Sequence, residues 1–253
     1  MKKLTLTLCA LAMLTAAHAQ TDTAKHHGWF GRRDIAGAAQ IQVTYRPGKL
    51  GDLNAILNKN AIPSLPENNM WLNLSMSHVH KNWLFEDGLG GSFTSTGDRN
   101  PSNGIRAKYN QFQFYTRAGY NFSNSENVRL YPFIGLNLSE AMLRIQDDNR
   151  TQSTADFSNE LTNVTASKTL WNPNLGFELG GGFDYVIKLK PKQMDCYTIQ
   201  RNIPIGVRVG YYLQATNSKW KIDDNYTLNN GPAGKQSAVF VSLNIGLGYA
   251  IKR

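Results

Sequence analysis

His78 and His80, separated by one residue in the run SHVH, are the pair whose type and spacing come nearest to a metal half-site. Alternate residues of an extended strand project to one side, so both imidazoles could face one ion. Zinc sites take three or four protein ligands, and no third is evident near this pair. Ordinary polar residues at a turn are expected there, with no metal and no cofactor. His26 and His27 lie beside Lys25, Arg32 and Arg33, which reads as a solvated basic leader. Gly180, Gly181 and Gly182 form a cluster without the Lys-Ser or Lys-Thr that a phosphate loop requires. Close packing in a narrow interior accounts for them better.

Arg117, Arg208, Glu86, Glu178 and Asp184 stand on the polar parity of segments that are otherwise mostly uncharged. A charge taken from water without a partner is expensive, so Arg117 and Arg208 are expected to meet Glu178, Asp184 or Glu86 as a structural ion-pair network. A lipid-modifying enzyme would want a histidine near one rim as general base. No histidine falls in a long connecting segment or in the strand ends beside it, so no catalytic residue is assigned and no enzyme is expected.

The elements that position these groups follow from the ends and the pattern of the chain. Lys2 and Lys3 precede an apolar run from Leu4 to Leu14, and Ala17-His18-Ala19 closes it as a cleavage pattern. That is a secretory signal peptide over residues 1–19, followed by a leader over 20–36 and a barrel domain over 37–253. The apolar run is too short for a membrane helix, which needs about 20 residues. Cys196 is the only cysteine after cleavage, so no internal disulfide is available in an oxidising compartment. Loss of Lys2 and Lys3 leaves 25 basic against 18 acidic residues. With export and with charges spread along the chain, that excess argues for a solvated surface and no nucleic-acid partner.

Period-2 alternation recurs in eight segments, at about 37–46, 70–79, 83–96, 111–122, 127–146, 173–189, 203–216 and 239–252. The last sets Val239, Val241, Leu243, Ile245, Leu247 and Tyr249 against Phe240, Ser242, Asn244, Gly246, Gly248 and Ala250. Asp87 falls on the apolar parity of the third segment, and a nearby β-bulge would explain it. Connections at 79–82, 122–127 and 190–202 belong to a shorter class than those at 47–69, 97–110, 147–172 and 217–236. Short turns at one end and long polar loops at the other are the pattern of an outer-membrane barrel. Leu50, Leu53, Ile56 and Leu57, stopped before Pro63, add one short helix at the outer interface or capping the mouth.

The alternative to a membrane barrel is a soluble lipocalin-like barrel that binds a small apolar ligand. It would need a charged exterior and large apolar side chains inside. These segments carry almost no Lys or Glu on either parity within a membrane-sized stretch, so the apolar face is expected to meet lipid. Arg117, Arg129, Arg208, Glu86, Glu178 and Asp184 then point into the lumen. Trp71, Trp83, Tyr120, Phe122, Tyr131, Tyr185 and Tyr249 are expected in the interfacial girdles. Eight strands leave an interior about filled by side chains, against a wide porin-like pore.

The signal peptide, the eight segments, RLYPFIGLNL at 129–138, FELGGGFDY at 177–185 and GDLNAILNKNAIPSLPENN at 51–69 together resemble the small outer-membrane β-barrel proteins. The likeness is to the outer-membrane-protein-A and outer-membrane-protein-X kind. The resemblance implies an all-β fold, an eight-stranded antiparallel transmembrane up-and-down β-barrel, monomeric and located in the cell outer membrane. It implies outer-membrane lipid and the barrel-assembly machinery as partners, with any external ligand bound through the loops, and it transfers no catalytic motif. The usual terminal aromatic is replaced by Ile251-Lys252-Arg253, and the peptidoglycan-gripping domain of the first kind is not expected.

Overall fold

The computed structural model describes residues 35–147, 167–194, 197–222, 226–232 and 236–252. The signal peptide, nearly all of the leader with His26 and His27, Cys196 and most of the 147–172 loop lie outside the described residues. Eight strands make the barrel: β1 Ile35–Tyr45, β2 Met70–His80, β3 Trp83–Thr96, β4 Ile105–Tyr120, β5 Val128–Asp147, β6 Ser167–Lys188, β7 Tyr197–Gln214 and β8 Ala238–Lys252. Each is antiparallel to the next, as in Leu74↔Leu89 between β2 and β3 and Leu138↔Leu175 between β5 and β6. β1 pairs with β8 through Val43↔Leu243 and its neighbours, which closes the sheet on itself. One helix, α1, spans Gly51–Lys59.

Strand limits run past the alternation pattern, chiefly at the long-loop end, although β7 also starts at Tyr197, six residues before the alternation begins at 203. β4 starts at Ile105 and β6 at Ser167, about six residues earlier than the apolar alternation does. Arg106, Lys108, Arg144 and Lys168 interrupt that alternation, yet backbone pairing such as Ile105↔Asp147 and Gln146↔Ser167 carries the sheet past it. The ladder continues where a wettable outer surface is tolerated. The other end is tighter: His80↔Trp83 closes a two-residue turn in which Lys81 sits at a φ of 54°.

Alternate residues of every strand face out, and those are the apolar ones. Leu243, Leu247 and Leu179 are 61%, 72% and 64% exposed. Their chain neighbours Ser242 and Asn244 are buried, as are Glu178 and Arg208. The exposed belt continues through Leu74, Met76, Phe114, Ile134, Phe177 and Val209. Water would penalise that surface by roughly 25 cal/mol per Å² of apolar area, whereas hydrocarbon does not. The fold is therefore a closed eight-stranded antiparallel barrel of transmembrane type, with its polar side enclosed.

Two expected girdle residues belong inside. Trp71 and Tyr131 are each 1% exposed, because both fall on the inward parity of their strands. Trp83, Tyr120, Tyr185 and Tyr249 do stand outward at the short-turn end. Asp87 also needs correction: it lies in regular register with Met76 and Thr116, while the irregularity of β3 falls between Ser92 and Ser95. No bulge turns Asp87 inward, and it faces out.

Several inward glycines make room for inward aromatic rings on the neighbouring strand. Tyr131 pairs with Gly182, and a Cβ at Gly182 would come within 2.5 Å of its ring. Phe133 lies across Gly180 and Phe240 across Gly210, each with 2.7 Å to such a Cβ. The cluster at 180–182 is thus a packing device for a layer built from Leu84, Tyr131, Phe133, Tyr212 and Phe240. Gly182→Ala must displace the Tyr131 ring, at a cost in the overpacking range of about 1–3 kcal/mol. Denaturant unfolding of the folded barrel should show that loss, whereas Gly181→Ala, which would meet only a carbonyl at 3.9 Å, should change little.

Candidate functional site in the barrel lumen

Inward positions of all eight strands converge on one polar network. Arg117 on β4 is its hub: Nε donates to Glu178 Oε2 at 2.7 Å, and Nη1 donates to Glu86 Oε1 at 3.3 Å and to Gln42 Oε1 at 3.4 Å. Glu86 also accepts from Gln42 Nε2, and from the Tyr115 hydroxyl at 3.3 Å. Arg208 Nη2 on β7 lies 2.9 Å from Glu86 Oε2, an ion-pair contact without hydrogen-bond alignment, and donates to Gln40 Oε1 at 3.1 Å. Asn137 Nδ2 on β5 donates to Glu178 Oε1 at 2.8 Å and to Gln113 Oε1 at 3.0 Å. Gln113 Nε2 reaches Asn73 on β2 at 2.7 Å, and Asn73 reaches Thr44, which bonds Ser242 on β8.

The structure brings four of the five predicted charges into direct contact and leaves the fifth apart. Asp184 makes no ion pair within 4 Å among the described residues; it accepts from the Tyr131 hydroxyl at 2.9 Å and from Asn244 Nδ2 at 3.2 Å. Arg129, on the same parity of β5, pairs in register with Asp184. Glu86, Arg117, Glu178 and Arg208 are all at most 4% exposed. Charges so far from water persist because each cation has a carboxylate, Glu86 Oε2 being met by Arg208 through the ion pair alone. Arg117 also lies over the Tyr115 ring, 4.1 Å from its centroid.

Arg46, one residue beyond β1, is a buried lumenal cation that the sequence reading passed over. It is 6% exposed and sits between Trp71 and Tyr212, 4.0 and 4.4 Å from their ring centroids. Nη1 donates to Gln113 Oε1 at 3.2 Å, which ties Arg46 to the lumenal network. Burial holds its guanidinium below its ordinary value, offset in part by Tyr212 and Glu178. The even parity of β1 could have revealed it, since Gln40, Gln42 and Thr44 all point inward.

Above Arg46 the long-loop end is closed by a small apolar core. Leu50, Leu53 and Leu57 of the α1 region and Leu65 pack on Ala107, Tyr109, Ala141, Leu143 and Trp220. α1 therefore caps the mouth from within. Asp52 in its first turn and Lys59 in its last suit the helix dipole. Asn54 clamps the returning chain, accepting from Leu65 N at 2.8 Å and donating to Leu65 O at 3.0 Å. Asn100 and Asn103 side chains both donate to Ala61 O, at 2.6 and 3.1 Å, which fastens the next loop to this cap.

His78 and His80 stand at the short-turn end of β2, and no group of three or more His, Cys, Asp or Glu that could hold a metal occurs among the described residues. What the lumen offers is a set of charges paired with one another and a mouth capped by α1. That defines a closed barrel of transmembrane type with a polar interior.

No protein-family model matches the chain, and no curated protein matches it. Solved structures do resemble it. Neisserial surface protein A is 12% identical with a TM-score of 0.36, over 87% of this chain and 97% of that one. Ail, the attachment invasion locus protein of Yersinia pestis, is 11% identical with a TM-score of 0.37, over 87% and 99%. OprG from Pseudomonas aeruginosa is 13% identical with a TM-score of 0.36, over 88% and 97%. At that identity and those scores the likeness carries no argument about function.

Arg117→Met would strand Glu178 and half of Glu86 inside the barrel, a class of change that costs about 3–5 kcal/mol. Lys188→Met removes the partner of Glu126 at an exposed rim, where a pair is worth about 0–1 kcal/mol. Parallel urea titrations should separate the two by a wide margin, and equal midpoints would contradict the lumenal assignment.

Proposed function

We propose that the protein is an exported outer-membrane barrel with a structural or surface-interaction role and no catalytic turnover. The observation that supports this best is the lumen: one hydrogen-bonded network touches all eight strands, and α1 with Trp220 closes the mouth above it. A conducting pore needs continuous water, and here polar side chains meet one another across the axis. A catalytic acid or base needs a free face toward substrate, whereas Glu86 and Glu178 are each engaged by arginine. The soluble ligand-binding alternative fails on its own requirement, because the enclosed side is polar and the apolar side is exposed.

In this reading the short turns that follow β2, β4 and β6 are on the periplasmic side, and the long connections that follow β1, β3, β5 and β7 are on the outer side. The barrel works as a monomer in outer-membrane lipid, is inserted by the barrel-assembly machinery, and meets any external ligand through those loops. The 217–232 segment suits such contact: Trp220 is held beneath Gly231 and Pro232, with Asn217, Asn229 and Asn230 around it in a cavity of about 540 Å³.

Purified barrel reconstituted in a planar bilayer should give background conductance, with no stable steps of porin size. A reproducible large channel would sink the plugged-lumen reading. Asn217→Ser combined with Asn229→Ser should leave heat-modifiable gel migration intact while removing whatever surface binding intact cells show through this segment.

A further inference from the structure

The outer wall carries a groove over β1. Gly37 faces out between Tyr249 of β8 and His78 of β2, both its direct partners in register. With no side chain there, the two rings overhang the gap: a Cβ at Gly37 would lie 3.8 Å from Tyr249 Cε1 and 3.8 Å from His78 Nδ1. Tyr249 pairs on its other side with Arg201 of β7. Arg201, Tyr249, Gly37 and His78 thus form one row across four strands at the short-turn end.

One step toward the long-loop end, Ala39 lies between Leu247 and Met76; one step further, Ile41 lies between Ile245 and Leu74. These residues line an outward groove of about 790 Å³, with His78 and Asp87 on its rim. The floor is small and apolar for two steps; His78 stands at its short-turn end, and the register row continues from there through Gly37 to Tyr249 and Arg201.

We propose that this groove seats one phospholipid of the leaflet at the short-turn end, with an acyl chain along Ala39 and Ile41 and the phosphate at the Arg201–Tyr249–His78 row. This rests on the barrel spanning a bilayer. Arginine matches a phosphate with paired donors, and no carboxylate pairs with Arg201 among the described residues. Tyrosine favours the interface, where its ring meets chains and its hydroxyl meets headgroups. Asp87 puts a formal charge on the outward face one step deeper than His78. Its carboxylate repels a phosphate, so the headgroup stays at the row and does not sink into the groove.

Native mass spectrometry of the mature barrel, folded in detergent, tests this with dioleoylphosphatidylglycerol as probe and dioleoylglycerol as its phosphate-free counterpart. Retention of a single phosphatidylglycerol and no dioleoylglycerol is expected. Arg201→Gln should weaken retention about tenfold, the loss expected for one charge-assisted contact. Ala39→Phe should fill the groove and abolish retention, and Leu179→Phe, on another part of the wall, should leave it unchanged. Equal retention of both lipids, equal retention in all variants, or a lipid-free dimer that Ala39→Phe dissociates would each overturn the proposal. A chain that folds and stays soluble without detergent would sink the membrane reading itself, whereas a detergent-requiring barrel that ignores phosphatidylglycerol would sink only the lipid seat.

Discussion

Hydrocarbon offers no hydrogen-bond partner to a backbone amide, and each one left open there costs several kcal/mol. A sheet with an apolar outer face can satisfy that condition only by closing. Pairing of β1 with β8 over eleven register positions, Ile35↔Ile251 to Tyr45↔Val241, removes both edges at once. Closure then dictates the rest. Every strand must divide its residues between two solvents, and whatever cannot face lipid is forced into a space about two side chains wide.

That enclosed space explains why the lumen combines glycines, rings and ions. Eight inward rows cannot all carry bulk, so Tyr131, Phe133 and Phe240 lie across glycines on the adjacent strand. Arg117 and Arg208 share Glu86, and Arg117 also binds Glu178, so the four charges compensate one another. The amides of Gln40, Gln42, Gln113 and Asn137 carry the network to strands that hold no charge. Such a network ties strands remote in sequence, as Gln40 to Arg208 does, and so favours one register over its slipped alternatives.

Much of this was legible because a period of two is a strong constraint. The eight segments, their parity and the inward position of Arg117, Arg208, Glu86, Glu178 and Asp184 follow from alternation alone. The pairing among them does not, because which inward residues meet depends on the shear of the barrel: Asp184 is hydrogen-bonded by Tyr131 and Asn244, with Arg129 opposite it in register but in no ion pair among the described residues. Trp71 and Tyr131 were assigned to the girdle by residue type, although their parity already placed them inside. Asp87 was given a bulge because a carboxylate on the lipid side looked unacceptable; regular register with Met76 and Thr116 shows that the strand tolerates it. Alternation reaches Arg46 through the even parity of β1 but is silent on the cap, where residues far apart in sequence meet above the apolar band.

The central claim is that the apolar parity meets acyl chains while the polar parity is enclosed. Single spin labels at Val241, Ser242, Leu243, Asn244 and Ile245, in a Cys196→Ser background and reconstituted into vesicles, test it directly through collision with oxygen and with a water-soluble nickel complex. Labels at Val241, Leu243 and Ile245 should be mobile, oxygen-accessible and shielded from nickel, with those at Ser242 and Asn244 immobilised and shielded from oxygen. The reverse alternation, or no alternation along β8, would contradict the account.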